Sequence, residues 1–160
     1  MEKTNRPSAT NFWNEFLNSP TGKLTTCKAQ PEAWGFGDGT EMADELGALV
    51  AAGIKTATAS LMWEYESEGN PLPKPGDLSI ILDGSGSPLC LIETVAVEVR
   101  PFNQVDAQFA YDEGEGDRTP EFWRDAHWRF FTRTCREIGR EPVQDMPVVC
   151  ERFKLIYLPA

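Results

Sequence analysis

The segment from Thr119 to Gly139 constrains the fold of this chain more than any other. Thr119 is a helix N-cap residue, Pro120 takes the first helical position, where its missing N–H costs nothing, and Gly139 stands just beyond the end. At about 100° per residue, Trp123, His127, Phe130, Phe131, Thr134 and Ile138 fall on one side, and Arg129, Arg133, Arg136 and Arg140 on the other. The pattern predicts a helix over Pro120 to Ile138 with one face in a core and an arginine stripe outside. The stripe can meet phosphates, or it can be a solvated face with local ion pairs such as Asp125 to Arg129 and Arg133 to Glu137. His127, the single histidine, shares the apolar side and reads as a satisfied core-edge residue rather than a base. If it lies outside the site, Ser-His-Asp and Cys-His catalysis are both excluded.

Around that helix the chain alternates irregularly. Phe12 to Leu17 predicts a short N-terminal helix, and Asn18 to Thr40 a loop with Pro20, Pro31 and glycines 35, 37 and 39. Met42, Leu46, Leu49 and Val50 recur with helical spacing, with Thr40 as N-cap and Gly53 as the left-handed stop. Ile54 to Ser60 is extended. Strands are expected over Leu78 to Leu82, Leu89 to Val99 and Val148 to Leu158, with a turn at Asp83 to Ser87 and a helical turn at Asp106 to Tyr111. Without a regular β-α-β alternation, the class is α+β, a partly closed sheet or small barrel flanked by helices. At 160 residues, one domain is expected over 1–160.

Composition narrows the partners. The net charge of −10 excludes a generic basic coat for nucleic acid, but not a local basic face. Between Tyr111 and Asp125 six acids face two arginines, so much of the excess sits on one loop and the start of one helix. The 41% apolar and 11% aromatic content excludes a disordered chain. There is no run of 18 apolar residues, so no membrane helix is expected, and the polar stretch Met1 to Asn11 lacks the core of an export signal. Cysteines 27, 90, 135 and 150 are too scattered for a Cys-x-x-Cys clip, which suits reduced thiols in the cytoplasm.

Three further features can carry chemistry. In the strand Leu89 to Val99, Glu93 shares a face with Leu91, Val95 and Val97. A carboxylate on an apolar face needs a partner or lines a cleft. In the other register, the face of Ile92 and Thr94 is the core. Gly53 to Ser60 places Lys55 beside Thr56, Thr58 and Ser60, whose hydroxyls share one face of a strand. This is either a lysine-and-hydroxyl site or an exposed lysine before ordinary strand threonines. Glu113, Glu115 and Asp117 stand on a glycine-rich loop that can approach a hard cation, or that is simply a solvated acidic turn.

Taken together these residues resemble the ASCH domain, a relative of the PUA RNA-binding fold. Gly53-x-Lys55-x-x-Thr58 resembles the family signature Gly-x-Lys-x-x-Thr-x-Arg, with Ser60 where the signature has arginine. Pro75-Gly76-Asp77 is similar to the family's strand-opening turn. Phe102, the Glu113-Gly-Glu-Gly-Asp117 loop, Trp123-Arg124 and His127 resemble the longer bacterial branch. The likeness runs from about Trp34 to Tyr157 and leaves 1–33 as an N-terminal helix and loop extension.

The resemblance implies a PUA-like small mixed β-barrel flanked by helices. It implies a cytosolic protein that meets RNA, a nucleotide or a modified nucleoside, with no membrane partner. Short members act as amidohydrolases on an acylated cytidine through a Lys, a Thr and a Glu. A longer member is similar to a metal-dependent ribonuclease on single-stranded RNA. Carried over, Lys55, Thr58 and Glu93 become the catalytic set, with Glu93 pairing Lys55. Thr56, Ser60, Trp34, Trp123, Arg118 and Arg124 become substrate contacts, with Trp63 a further stacking surface. Glu113, Glu115 and Asp117 become ligands to a divalent cation, Mn or Mg. The alternative is a noncatalytic RNA- or nucleotide-binding module, or a small-molecule sensor.

Overall fold

A computed structural model of the chain describes residues 8–159. The helices are α1 (Ala9–Asn18), α2 (Pro20–Leu24), α3 (Thr40–Ala51), α4 (Met62–Glu68), α5 (Ala107–Glu113) and α6 (Pro120–Glu137). The strands are β1 (Glu32–Trp34), β2 (Ala57–Leu61), β3 (Leu78–Leu82), β4 (Pro88–Pro101) and β5 (Pro147–Tyr157). The strands bond in the order β1-β3-β4-β5-β2. β1 runs parallel to β3, while β3 with β4 and β2 with β5 are antiparallel. This is the mixed α+β class that the sequence pattern predicts.

The chain divides into two compact units. The first gathers the residues up to Gly53 with 78–93 and those from Lys154 onward. Its core packs Phe12, Trp13 and Phe16 of α1 against Ile80 and Leu91. The Ser8 hydroxyl caps α1 by accepting from the Asn11 N–H. The expected loop from Asn18 to Thr40 is partly ordered into α2 and β1. Ser19 starts α2 by accepting from the Gly22 N–H, and β1 is a strand only because it pairs with β3. Thr40 is the first residue of α3 rather than its cap, and Gly39 holds the cap position at φ +97°.

The second unit gathers 54–77 and 94–153. Its core joins Ala57 and Leu61 of β2, Val148 and Cys150 of β5, Phe102, Phe109, and Trp123, Phe131 and Cys135 of α6. α6 starts and stops as its caps predict, with the Thr119 hydroxyl accepting from the Phe122 N–H. Its arginine stripe is exposed. Arg129 pairs with Asp125 at 2.5 Å, and Arg140 lies over the Trp63 ring. The short helix α4 carries no buried residue and no side-chain cap, which explains its silence in the sequence. No helix among the described residues is long and apolar enough to cross a membrane.

Candidate functional site

β2 separates the signature residues onto two faces. Ala57, Ala59 and Leu61 pack into the core under α6, so Thr58 and Ser60 point the other way. Just before the strand, Lys55 is 1% exposed and turned toward α5 and α6. Its ammonium donates to the Ala57 carbonyl at 2.8 Å, the Glu113 carbonyl at 3.4 Å and the Glu115 carboxylate at 3.0 Å. Glu113 adds a carboxylate oxygen at 3.8 Å.

Glu113 is equally buried, and it draws two further donors from α6. The Trp123 indole N–H and His127 Nε2 both meet its Oε2, the histidine at 2.9 Å. The other imidazole nitrogen, Nδ1, lies 2.9 Å from the Trp123 carbonyl. A carbonyl and a carboxylate can only accept, so both ring nitrogens carry protons and His127 is an imidazolium. Burial pushes the Glu113 carboxyl up, but the charges of His127 and Lys55 outweigh it and hold the group below its ordinary value. Burial pushes His127 down, and Glu113 outweighs that and raises it. Two cations and two carboxylates therefore form a neutral quartet, with Lys55 and Glu113 buried and Glu115 and His127 half-buried. One atom is left over, since Glu113 Oε1 has no hydrogen-bond partner.

The loop that brings the acids to Lys55 is fastened along its length. The Thr56 N–H donates to the Asp112 carbonyl at 2.8 Å, and the Thr56 hydroxyl donates to the same oxygen. Arg152 is ion-paired to Asp112. Gly114 takes φ +71°, and a Cβ there would stand 2.8 Å from the Ile54 carbonyl oxygen, so only glycine fits. Arg118 holds a left-handed φ of 64°. Its Nε donates to the Tyr111 carbonyl at 2.8 Å, and its guanidinium lies 3.6 Å from the Tyr111 ring centroid.

The opposite face of β2 is lined with hydroxyls. Thr58 stands directly across the ladder from Glu151 of β5, so their side chains share a face. Glu151 is 8% exposed and accepts from the Thr94 hydroxyl at 2.6 Å. Ser60, two residues beyond Thr58, bonds the Tyr65 hydroxyl at 2.9 Å. Among the described residues no cation pairs with Glu151. Its burial and the nearby Asp77 charge raise its proton affinity, while the Thr94 hydrogen bond pulls the other way.

Several sequence expectations change here. Lys55 is not paired by Glu93. Glu93 is half-buried and faces Lys154 at 3.4 Å, while Glu113 and Glu115 take the lysine. β4 is buried on both faces at Cys90, Leu91 and Ile92; beyond Glu93 the buried residue is Thr94, and Val95 and Val99 are exposed. The inward carboxylate expected on β4 lies on the next strand, as Glu151. Asp117 does not join Glu113 and Glu115. It is exposed and accepts from the backbone and hydroxyl of Thr119. His127 takes its place, and the ligand atoms of Glu113, Glu115 and His127 lie within 4.8 Å of one another.

Trp123 is buried against Phe102 and stacked on His127, which closes it to a ligand. Trp34 packs edge-on to Phe36. Arg124 is exposed with Glu121 at 3.8 Å. A small cavity of about 50 Å³ opens beside Phe109 and Cys150. Its two arginines, Arg100 and Arg152, are already occupied by Glu98, Asp106 and Asp112.

No curated protein matches the chain. Among solved structures, an ASCH domain from Lactobacillus crispatus JV V101 superposes with a TM-score of 0.86. It is 33% identical over 93% of this chain and 94% of its own. A protein from Enterococcus faecalis V583 gives a TM-score of 0.84 at 38% identity, over 94% and 88%. The family model of the ASCH domain matches residues 32–157. By that match and by these neighbours, the chain belongs to the ASCH domain family, a PUA-like fold often linked to RNA binding.

Proposed function

We propose that this ASCH protein binds RNA or a nucleotide-like ligand on the Thr58 face of β2 and hydrolyses it there. The observation that carries the reading is Glu151, a buried acid with no cation paired to it among the described residues, beside the signature threonine. Burying an uncompensated carboxylate is costly, and such costs gather where chemistry needs them. A carboxyl with raised proton affinity suits proton transfer near neutral pH. Glu151 is then the proton acceptor and donor, and the Thr58 hydroxyl meets the scissile group. Ser60 and Tyr65 line the approach. Lys55 fastens the 112–118 loop instead of attacking substrate.

The test is incubation of purified protein with acylated cytidine and, separately, with single-stranded RNA. Turnover of one substrate, reduced about 10²-fold or more by Glu151→Gln, is the expected result. The second reading is a noncatalytic binding module. It is favoured by the quartet, in which the lysine of the signature is engaged by carbonyls and carboxylates. Binding without turnover would select it, and neither binding nor turnover would remove both.

A further inference from the structure

We propose that Glu113, Glu115 and His127 form a binding site for a first-row divalent transition-metal ion. The donor set is one imidazole and two carboxylates, with ligand atoms within 4.8 Å of one another. Imidazole shifts such a set away from calcium and magnesium, toward zinc, manganese or cobalt. Three protein ligands leave a position open for water or a ligand atom.

Two observations point to a ligand beyond the clustering itself. Glu113 is 1% exposed, yet its Oε1 has no hydrogen-bond partner and faces only the Lys55 ammonium at 3.8 Å, so a buried acceptor keeps its hydrogen-bonding capacity unused inside the cluster. His127 is oriented as a metal ligand is. Nδ1 is fixed on the Trp123 carbonyl, and Nε2 is turned to the carboxylates. An entering ion replaces the proton on Nε2, which is released to solvent, and Glu113 Oε1 becomes a ligand to it. The Lys55 ammonium, 3.0 Å from Glu115 and 3.8 Å from Glu113, is the built-in competitor. It balances the acids when the ion is absent and weakens the ion's hold when present. Asp117 takes no part, because Thr119 holds it.

The site is independent of the hydrolytic reading on the Thr58 face, and its test reads no turnover. His127 is the only histidine, so in the untagged full chain a single imidazole reports ligation without any substitution. Zinc is titrated into chelator-stripped protein while the imidazole nitrogens are followed by NMR. The expected result is one ion per chain, with Nε2 moving to a metal-bound shift and Nδ1 keeping its proton. Cobalt then gives visible absorption of a four- or five-coordinate site. Glu115→Gln weakens binding about tenfold or more, as loss of one charged ligand requires, and Lys55→Met tightens it. An imidazole indifferent to zinc overturns the proposal. So does an affinity that Glu115→Gln leaves unaltered.

Discussion

Replacing Glu113 by glutamine tests the charge quartet directly. The side chain keeps its shape and can still accept from Trp123 and His127, but its charge is gone. Two buried cations then face a single carboxylate, that of Glu115. The gross attraction lost at Lys55 alone, 3.8 Å away, is about 4 kcal/mol at an effective dielectric of about 20. In the native protein much of that is offset by desolvation, which remains unpaid once the acid is removed. Breaking a buried pair in this way costs about 3–5 kcal/mol. For a chain of 160 residues, that is a fall in Tm of about 6–20 °C.

The assay is urea unfolding of wild type, Glu113→Gln, His127→Gln and the double variant, all with chelator present. The two single losses should exceed the double loss by about 0.5–3 kcal/mol, because the second substitution removes a charge that the first left stranded. A Glu113→Gln loss below about 1 kcal/mol, with simple additivity, would refute the quartet as the fastening of the loop.

Other outcomes follow from single features. Gly114→Ala should cost about 1–3 kcal/mol in urea, from the left-handed φ of 71° and the approach to the Ile54 carbonyl; a neutral result would mean the loop moves away freely. Phe131, wholly buried in the second core, should cost about 3–5 kcal/mol as alanine in the same assay. Cys27 alone should react with a thiol reagent in the folded protein, since it is exposed while the other three are buried, and burial pushes the Cys90 and Cys150 thiols up to about 12; labelling of two or more would contradict the packing. Glu151→Gln should gain stability relative to wild type as pH rises. Below the ordinary carboxylate value of 4.5, folded and unfolded chains both hold the proton; above it, only the folded chain keeps it, until its raised value is passed. Wild type therefore loses stability relative to the glutamine variant across that window, so a difference in urea midpoint that is the same at pH 4 and pH 7 would refute the uncompensated burial.

How far the sequence revealed this structure depended on whether a signal was local. α6 was readable from Thr119, Pro120 and Gly139 because caps and periodicity lie within the segment itself. β3 was readable from its apolar run after the Pro75-Gly76-Asp77 turn. α4 was not, because its face is half-exposed and its ends carry no capping side chain. The site residues divide the same way. Lys55 and Thr58 stood in a local motif, and the Glu113 loop was visible as a run of acids. Which acid meets Lys55 is decided by a loop 58 residues away in sequence, and no spacing rule reaches that far. Glu93 and Glu151 lie on strands with two plausible faces, so a one-residue choice of register decided which one turned inward. His127 looked like core because its apolar neighbours Trp123 and Phe131 are core. Its charged partner, Glu113, comes from the end of α5, on a separate element.

The neutrality of the Lys55, Glu113, Glu115 and His127 quartet also restricts how the family can drift. A single charge change among the four strands an ion in the interior, so such steps are disfavoured one at a time. Relatives that lose the histidine should have lost an acid as well, and those that replace the lysine should carry a neutral residue at one of the two glutamates. The four positions are thus expected to vary as a set, and their joint pattern across relatives would record the electrostatic sum more faithfully than any one of them.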